Sequence, residues 1–238
     1  MGQTILQLAT DAATELSQII PTAVVANTGD PGAQKLLRHL TRTCRQLAGR
    51  FDWQVLRREK TFTTTATPAQ TGALPTDFLR FVPDSMFNRT KDTRVGGPLT
   101  ADEWQAYQAV AYGSVYDQFT VRGNAFLMSP TPTAGNTIAY EYVTKYIGTN
   151  AAGSTERTSF TADDDVTYFD DELVILGIVW RYRKAEGLDY SEEFREYELR
   201  YYDMIKMDGG RRTLDMNEDV MTRARVPLAP RIPETLVF

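Results

Sequence analysis

Between Leu173 and Trp180 every residue except Gly177 is apolar. Such a run has two homes, a strand buried on both faces or a helix buried all round. The β-branched Val174, Ile175, Ile178 and Val179 favour the strand, but the flanks favour the helix. Asp170, Asp171 and Glu172 stand where a helix dipole welcomes acids, Arg181, Arg183 and Lys184 where it welcomes bases, and Gly187 suits a left-handed cap. A second helix restarts at Asp189, an N-cap candidate with Glu192 three residues on. Tyr190, Phe194, Tyr197, Tyr201 and Ile205 recur along one face, and Gly209-Gly210 ends it. A first helix that is apolar nearly all round must be covered by other helices or by another chain.

Two upstream segments supply such helices. Ile5, Leu8, Ala12, Leu16 and Ile19 keep helical spacing up to a boundary at Pro21. After a turn at Asn27 to Gly29, Asp30 as N-cap and Pro31 at the first helical position open the next. Its apolar stripe is Leu37, Leu40, Cys44, Leu47 and Phe51, and Trp53 and Leu56 close the segment against the core. The other face carries Lys35, Arg38, Arg42 and Arg45 at three- and four-residue steps, which reads either as a solvated face or as a contact for an acidic partner or nucleic acid.

From Glu59 the period shortens to that of strands. Lys60 to Thr65 alternates, Leu79 to Val82 is a short apolar run, and Gln118 to Arg122 with Ala125 to Met128 forms a hairpin through Gly123-Asn124. Thr137 to Tyr146 alternates again, with Ile138, Tyr140 and Tyr142 on one face. One short helix interrupts them, opened by a Thr100–Glu103 capping box and running through Trp104 and Tyr107. Gly148 to Asp165 is polar and reads as a loop. The expected class is α+β: a helical bundle with an inserted small β-rich domain and an extended C-terminal arm. Residues 1–58 begin the bundle, 59–147 form the insertion, 148–208 complete the bundle, and 209–238 make the arm. In the arm, prolines at 227, 230 and 233 keep the backbone extended, and Arg211, Arg212, Arg223, Arg225 and Arg231 offer forked donors. Leu236, Val237 and Phe238 give it an apolar end, so it is either freely disordered or ordered only against a partner.

Little in the chain nominates catalysis. Cys44 is the lone cysteine and His39 the lone histidine, so neither a disulfide nor the usual zinc ligand sets can be assembled within one chain. Cys44 falls on the apolar stripe as a core thiol, and His39 among arginines as a surface residue. The acids Asp163, Asp164, Asp165, Asp170, Asp171 and Glu172 are dense, but an EF-hand counted from Asp163 would need glycine and glutamate where Tyr168 and Val174 stand. They read as helix caps and a solvated loop. Gly96-Gly97-Pro98 reads as a turn, and no phosphate loop, dinucleotide fingerprint or serine-hydrolase elbow is present. A net charge of −5 argues against a generic nucleic-acid coat, no segment is long and apolar enough to span a membrane, and no signal peptide is expected. Twelve tyrosines favour interfaces. The combination reads as an assembly protein without cofactors.

Four stretches, Asp52-Trp53-Gln54, Leu74-Pro75-Thr76-Asp77-Phe78-Leu79-Arg80, Gly187-Leu188-Asp189-Tyr190 and the Leu173 to Trp180 run, together resemble the head-to-tail adaptors of short-tailed bacteriophages, the tail tubular protein A type. The resemblance covers roughly Asp30 to Asp208. It implies a non-enzymatic virion protein, assembled in the host cytoplasm as a dodecameric ring between the portal protein and the tail nozzle protein, with tail fibres as further candidate partners. Double-stranded DNA would pass through the ring without specific binding. The arm, Arg211 to Phe238, would reach the portal. The alternatives are a nucleic-acid-binding module using Lys35, Arg38, Arg42 and Arg45, and a tail-associated hydrolase.

Overall fold

Helix starts are where polar side chains were expected to act, and the computed structural model, which describes residues 2–109 and 116–209, bears this out. Thr4 and Gln7 cap α1 (Ile5–Glu15) reciprocally, each side chain accepting from the other's backbone N–H. Asp30 caps α2 (Pro31–Arg50), accepting from the Gly32 N–H at 2.8 Å. A short 3-10 turn (Gln54–Leu56) leads into β1 (Arg57–Thr63), β2 (Ala69–Gln70), β3 (Phe78–Phe81), β4 (Phe87–Asn88) and β5 (Thr93–Arg94). The Thr100–Glu103 capping box then opens α3 (Ala101–Ala109). β6 (Gln118–Arg122) and β7 (Ala125–Ser129) follow, joined through Gly123 and Asn124, both at positive φ as a tight hairpin turn requires. β8 (Thr137–Thr144), β9 (Gly148–Thr149), β10 (Glu156–Arg157) and β11 (Val166–Thr167) precede α4 (Asp171–Ala185) and α5 (Ser191–Asp208). The fold is α+β.

The described residues divide into a helical unit, 2–57 with 143–209, and a β unit, 58–109 with 116–142. In the helical unit α4 packs against α1, α2 and α5 together, which is why its sequence has no polar face. Val174 and Ile178 are wholly buried, and each such side chain contributes roughly 1.5–3 kcal/mol relative to exposure. Gly177 meets Thr43 of α2, and a Cβ there would run into the Thr43 side chain, so the glycine sets how closely the two helices approach. Trp180 lies among the rings of Tyr190, Phe194 and Tyr197 at centroid distances of 6.2, 5.1 and 6.0 Å. Asp170 caps α4 through the Leu173 N–H and takes two hydrogen bonds from Arg200 of α5.

In the β unit β8 is the shared strand: β1 lies on one side, β3 and β4 on the other, and β5 pairs with β4. A second antiparallel sheet runs β2-β7-β6. Phe62, Ile138, Tyr140 and Tyr142 from the first sheet and Phe119, Phe126 and Met128 from the second make one buried cluster. The Phe119 and Phe126 rings stack at 5.0 Å, and the Tyr140 hydroxyl donates to the Ala73 carbonyl.

Several expectations are corrected. α1 ends at Glu15 because Ser17 turns left-handed, leaving Ile19 outside the helix and 91% exposed. On α2 the buried face runs through Ala33, Leu36, Leu40, Thr43, Cys44 and Leu47, with Leu37 only half-buried. Tyr190, not Asp189, is the residue preceding α5; Asp189 instead accepts from the Ser191 N–H and hydroxyl. Phe194 is 40% exposed despite its place on the expected face. The segment read as a loop from Gly148 to Asp165 contains β9 and β10, which form a small antiparallel sheet with β11 just beyond it and β9 in the middle. Gly96 and Gly97 are no simple turn, since Gly96 bridges β6 and Cβ atoms at the two positions would strike Gln118 and Phe119. The arm from Arg211 to Phe238 lies outside the described residues.

Candidate functional site

The capping of α2 by Asp30 and the burial of its apolar stripe against α4 and α1 fix what the opposite face presents. Lys35, Arg38, Arg42 and Arg45 are all exposed there. Two are partly engaged: Lys35 pairs with Glu186 at 2.7 Å, and Arg45 donates to the Thr158 carbonyl at 3.2 Å. Arg38 and Arg42 have no ion-pair or hydrogen-bond partner among the described residues. Beneath them Arg181, which the sequence places at the end of the apolar run, is buried on α4. Its guanidinium lies 4.2 Å over the Trp180 ring and donates to Gln46, while its Nε has no partner. Burial, with repulsion from Arg42 and Arg50, lowers its pKa to about 10.

His39 is not the surface histidine expected. It is half-buried, its ring sits edge-on to Tyr182 at 6.3 Å, and its Nδ1 is enclosed without a partner. Burial and the cations Arg181, Arg42, Arg38 and Lys35 lower its pKa, so it is held neutral. Cys44 is a core thiol as expected, 3.5 Å from the Thr167 hydroxyl, with its pKa pushed up to about 12 by burial. Neither group is poised for nucleophilic chemistry.

The dense acids of the sequence hold backbone. Asp163 accepts from the Val24 and Val25 N–H groups at 2.9 and 2.7 Å, Asp165 from Thr161 and Ala162, and Asp171 from Gln3. Among the described residues no group of three or more His, Cys, Asp or Glu side chains is gathered as metal ligands would be.

Two further surfaces escaped the sequence reading. A cleft of about 300 Å³ is lined by Trp53, Val55, Phe169, Leu173, Met204 and Met207, at the end of α5. An acidic seam also forms where Asp11 and Glu15 of α1 approach Glu172 of α4 and Glu196 of α5. Burial first, then the charges of Glu172, Asp11 and Glu196, raise the Glu15 pKa. The four-residue step from Asp11 to Glu15 was legible, but the meeting of three helices was not. The arm residues Arg211, Arg212, Arg223, Arg225, Arg231, Leu236, Val237 and Phe238 lie outside the described residues.

What these surfaces offer is recognition: unpaired cations, gathered acids and an apolar cleft on a helical scaffold. Among the described residues no helix is long and apolar enough to cross a membrane. No match was found among the curated proteins. A family model described as SU10 adaptor protein matches residues 3–231, which covers nearly the whole chain and reaches beyond the stretch on which the resemblance rested. The chain therefore belongs to the SU10 adaptor protein family and is a structural adaptor of a phage virion.

Proposed function

We propose that the protein is the head-to-tail adaptor that forms a ring, a dodecamer, joining the portal to the tail nozzle and continuing the DNA channel. The observation that carries this is the family match from residue 3 to residue 231, because it takes in both units and most of the arm. The partners are the portal protein, the nozzle protein, tail fibres and further copies of the chain, and assembly takes place in the host cytoplasm. With a net charge of −5, a channel lined by such subunits repels phosphates and lets a duplex slide. No catalytic step is proposed.

Within this reading the arm makes the portal contact. Arg211, Arg212, Arg223, Arg225 and Arg231 offer forked donors to carboxylates, and Leu236, Val237 and Phe238 offer an apolar end. The β unit would face the nozzle. Mixing the purified protein with the portal protein of the same phage and imaging the product tests the reading, which a failure to form any ring on the portal would sink. Truncation after Asp208 should abolish stable attachment while leaving the melting temperature nearly unchanged; attachment without the arm would remove it from the contact.

A second reading is favoured by the two unengaged arginines on α2: Lys35, Arg38, Arg42 and Arg45 as a nucleic-acid contact. Salt-dependent duplex binding by the isolated protein, lost on replacing Arg38 and Arg42, would support it.

A further inference from the structure

The helical unit carries two sets of charges that the described residues do not neutralise, and they are opposite in sign. Arg38 and Arg42 stand exposed about one turn apart on α2, over the buried cation Arg181, whose Nε has no partner. Asp11, Glu15, Glu172 and Glu196 gather on α1, α4 and α5, and no ion pair or hydrogen bond joins any of them to another group among the described residues. Of the cations on α5 and its neighbours, Arg200 is committed to Asp170, Arg183 to Glu193, Arg50 to Glu198 and Lys206 to Asp203, and the exposed Arg195 forms no ion pair with these acids among the described residues. Exposed apolar side chains accompany both sets. Leu199, 58% exposed, follows Glu196 by three residues, and Leu188, 56% exposed, lies just beyond Glu186, the partner of Lys35.

We propose that the basic face of α2 and the acidic seam of α1, α4 and α5 are the two halves of one subunit contact, in which each copy sets Arg38 and Arg42 against the Glu15, Glu172 and Glu196 of the next. The occupant of the α2 face is a second copy because the same molecule supplies the complementary charges. A duplex or an acidic portal surface would account for the arginines but leave the gathered acids without a role. An exposed pair in water contributes little, but an apolar rim that excludes water strengthens it, and like charges meeting across such a rim oppose wrong docking. Contacts between two different patches run head to tail, and such contacts generate a ring when the rotation between copies closes. The inference rests on the ring reading above and gives that ring its joint.

Charge reversal tests it, using full-length protein with and without the portal protein and reading assembly by mass photometry and negative-stain imaging. Arg38→Glu with Arg42→Glu makes both faces acidic, and Glu15→Lys with Glu196→Lys makes both basic. Each double variant alone should lose ring assembly by about tenfold or more at equal concentration. An equimolar mixture should recover it, in rings that alternate the two variants and therefore contain only even numbers of subunits. All four positions are exposed, so circular dichroism should match the wild type. As a second measurement, a chain carrying Arg42→Cys and Glu196→Cys should give a ladder of covalent oligomers with a short bis-maleimide. Wild-type rings that persist in both reversals, or folded variants that fail to recover on mixing, would overturn the contact while leaving the ring reading intact. Loss of duplex binding in Arg38→Glu with Arg42→Glu while rings persist would give the face to nucleic acid and also overturn it. A wild type that never forms rings would remove both.

Discussion

Among the described residues, the β unit leaves fewer enclosed polar atoms without partners than the helical unit does. In the β unit Lys91 lies 3.3 Å from the buried Asp117, which also accepts from Asn88, while Arg89 pairs with Glu59 and Arg94 with Asp84 at 2.7 and 3.1 Å. Asn136 alone contributes an enclosed side-chain atom without a partner in that unit among the described residues, whereas His39, Trp180, Arg181 and Tyr197 each contribute one in the helical unit. A ring cluster with its polar atoms matched is complete in one chain. A bundle that leaves cations on α2 and acids on α1, α4 and α5 unmatched keeps both signs of charge on its surface.

The largest expected effect is Trp180→Ala, which removes the ring that Tyr190, Phe194 and Tyr197 surround. Unfolding by denaturant should show a loss of about 3–5 kcal/mol, and a loss below about 1 kcal/mol would mean that α4 does not organise the helical unit. Next comes Gly177→Ala, whose methyl meets Thr43. It should cost about 1–3 kcal/mol, and most of this should be recovered when Thr43→Ala is added. In the β unit Tyr140→Phe leaves the Ala73 carbonyl without its donor and should cost about 1 kcal/mol. No measurable cost would mean that this polar atom is not matched as described.

The pH dependence separates the units further. His39 has its pKa lowered in the fold, so below its ordinary value of 6.5 the unfolded chain binds the proton more readily. Stability should fall as pH drops through 6.5 and level off below the folded value, and His39→Gln should flatten that slope in melting curves taken across pH 7 to 5. The smallest effect belongs to the exposed Arg89–Glu59 pair. Removing both partners should change stability by no more than about 0.5 kcal/mol, and a larger loss would show that the β unit depends on its surface charges.

How much was legible follows from how local each signal is. Asp30 with Pro31, Asp170, the Thr100–Glu103 box and the Gly123-Asn124 turn act within four residues of themselves, and each was read correctly from spacing. The sheet around β8 was not read as a whole, because β4 and β5 are two residues long and β4, which carries β5, owes its pairing to a strand some fifty residues away. β9, β10 and β11 are likewise two residues long, too short for alternation to show. Ile19 was misplaced because spacing continues past Glu15 whereas the backbone does not. The basic stripe of α2 was visible as a pattern. That Arg38 and Arg42 lack partners while Lys35 has one depends on Glu186, far along the chain.

The meeting of Gly177 with Thr43 bears on mechanics as well as packing. Sliding α2 along α4 by one turn, about 5.4 Å, would bring Val174, Leu173, Trp180 or Arg181 to a place where only hydrogen fits. The joint therefore acts as a detent. Sliding of α2 along α4 meets a steric stop at Thr43 instead of a smooth apolar surface.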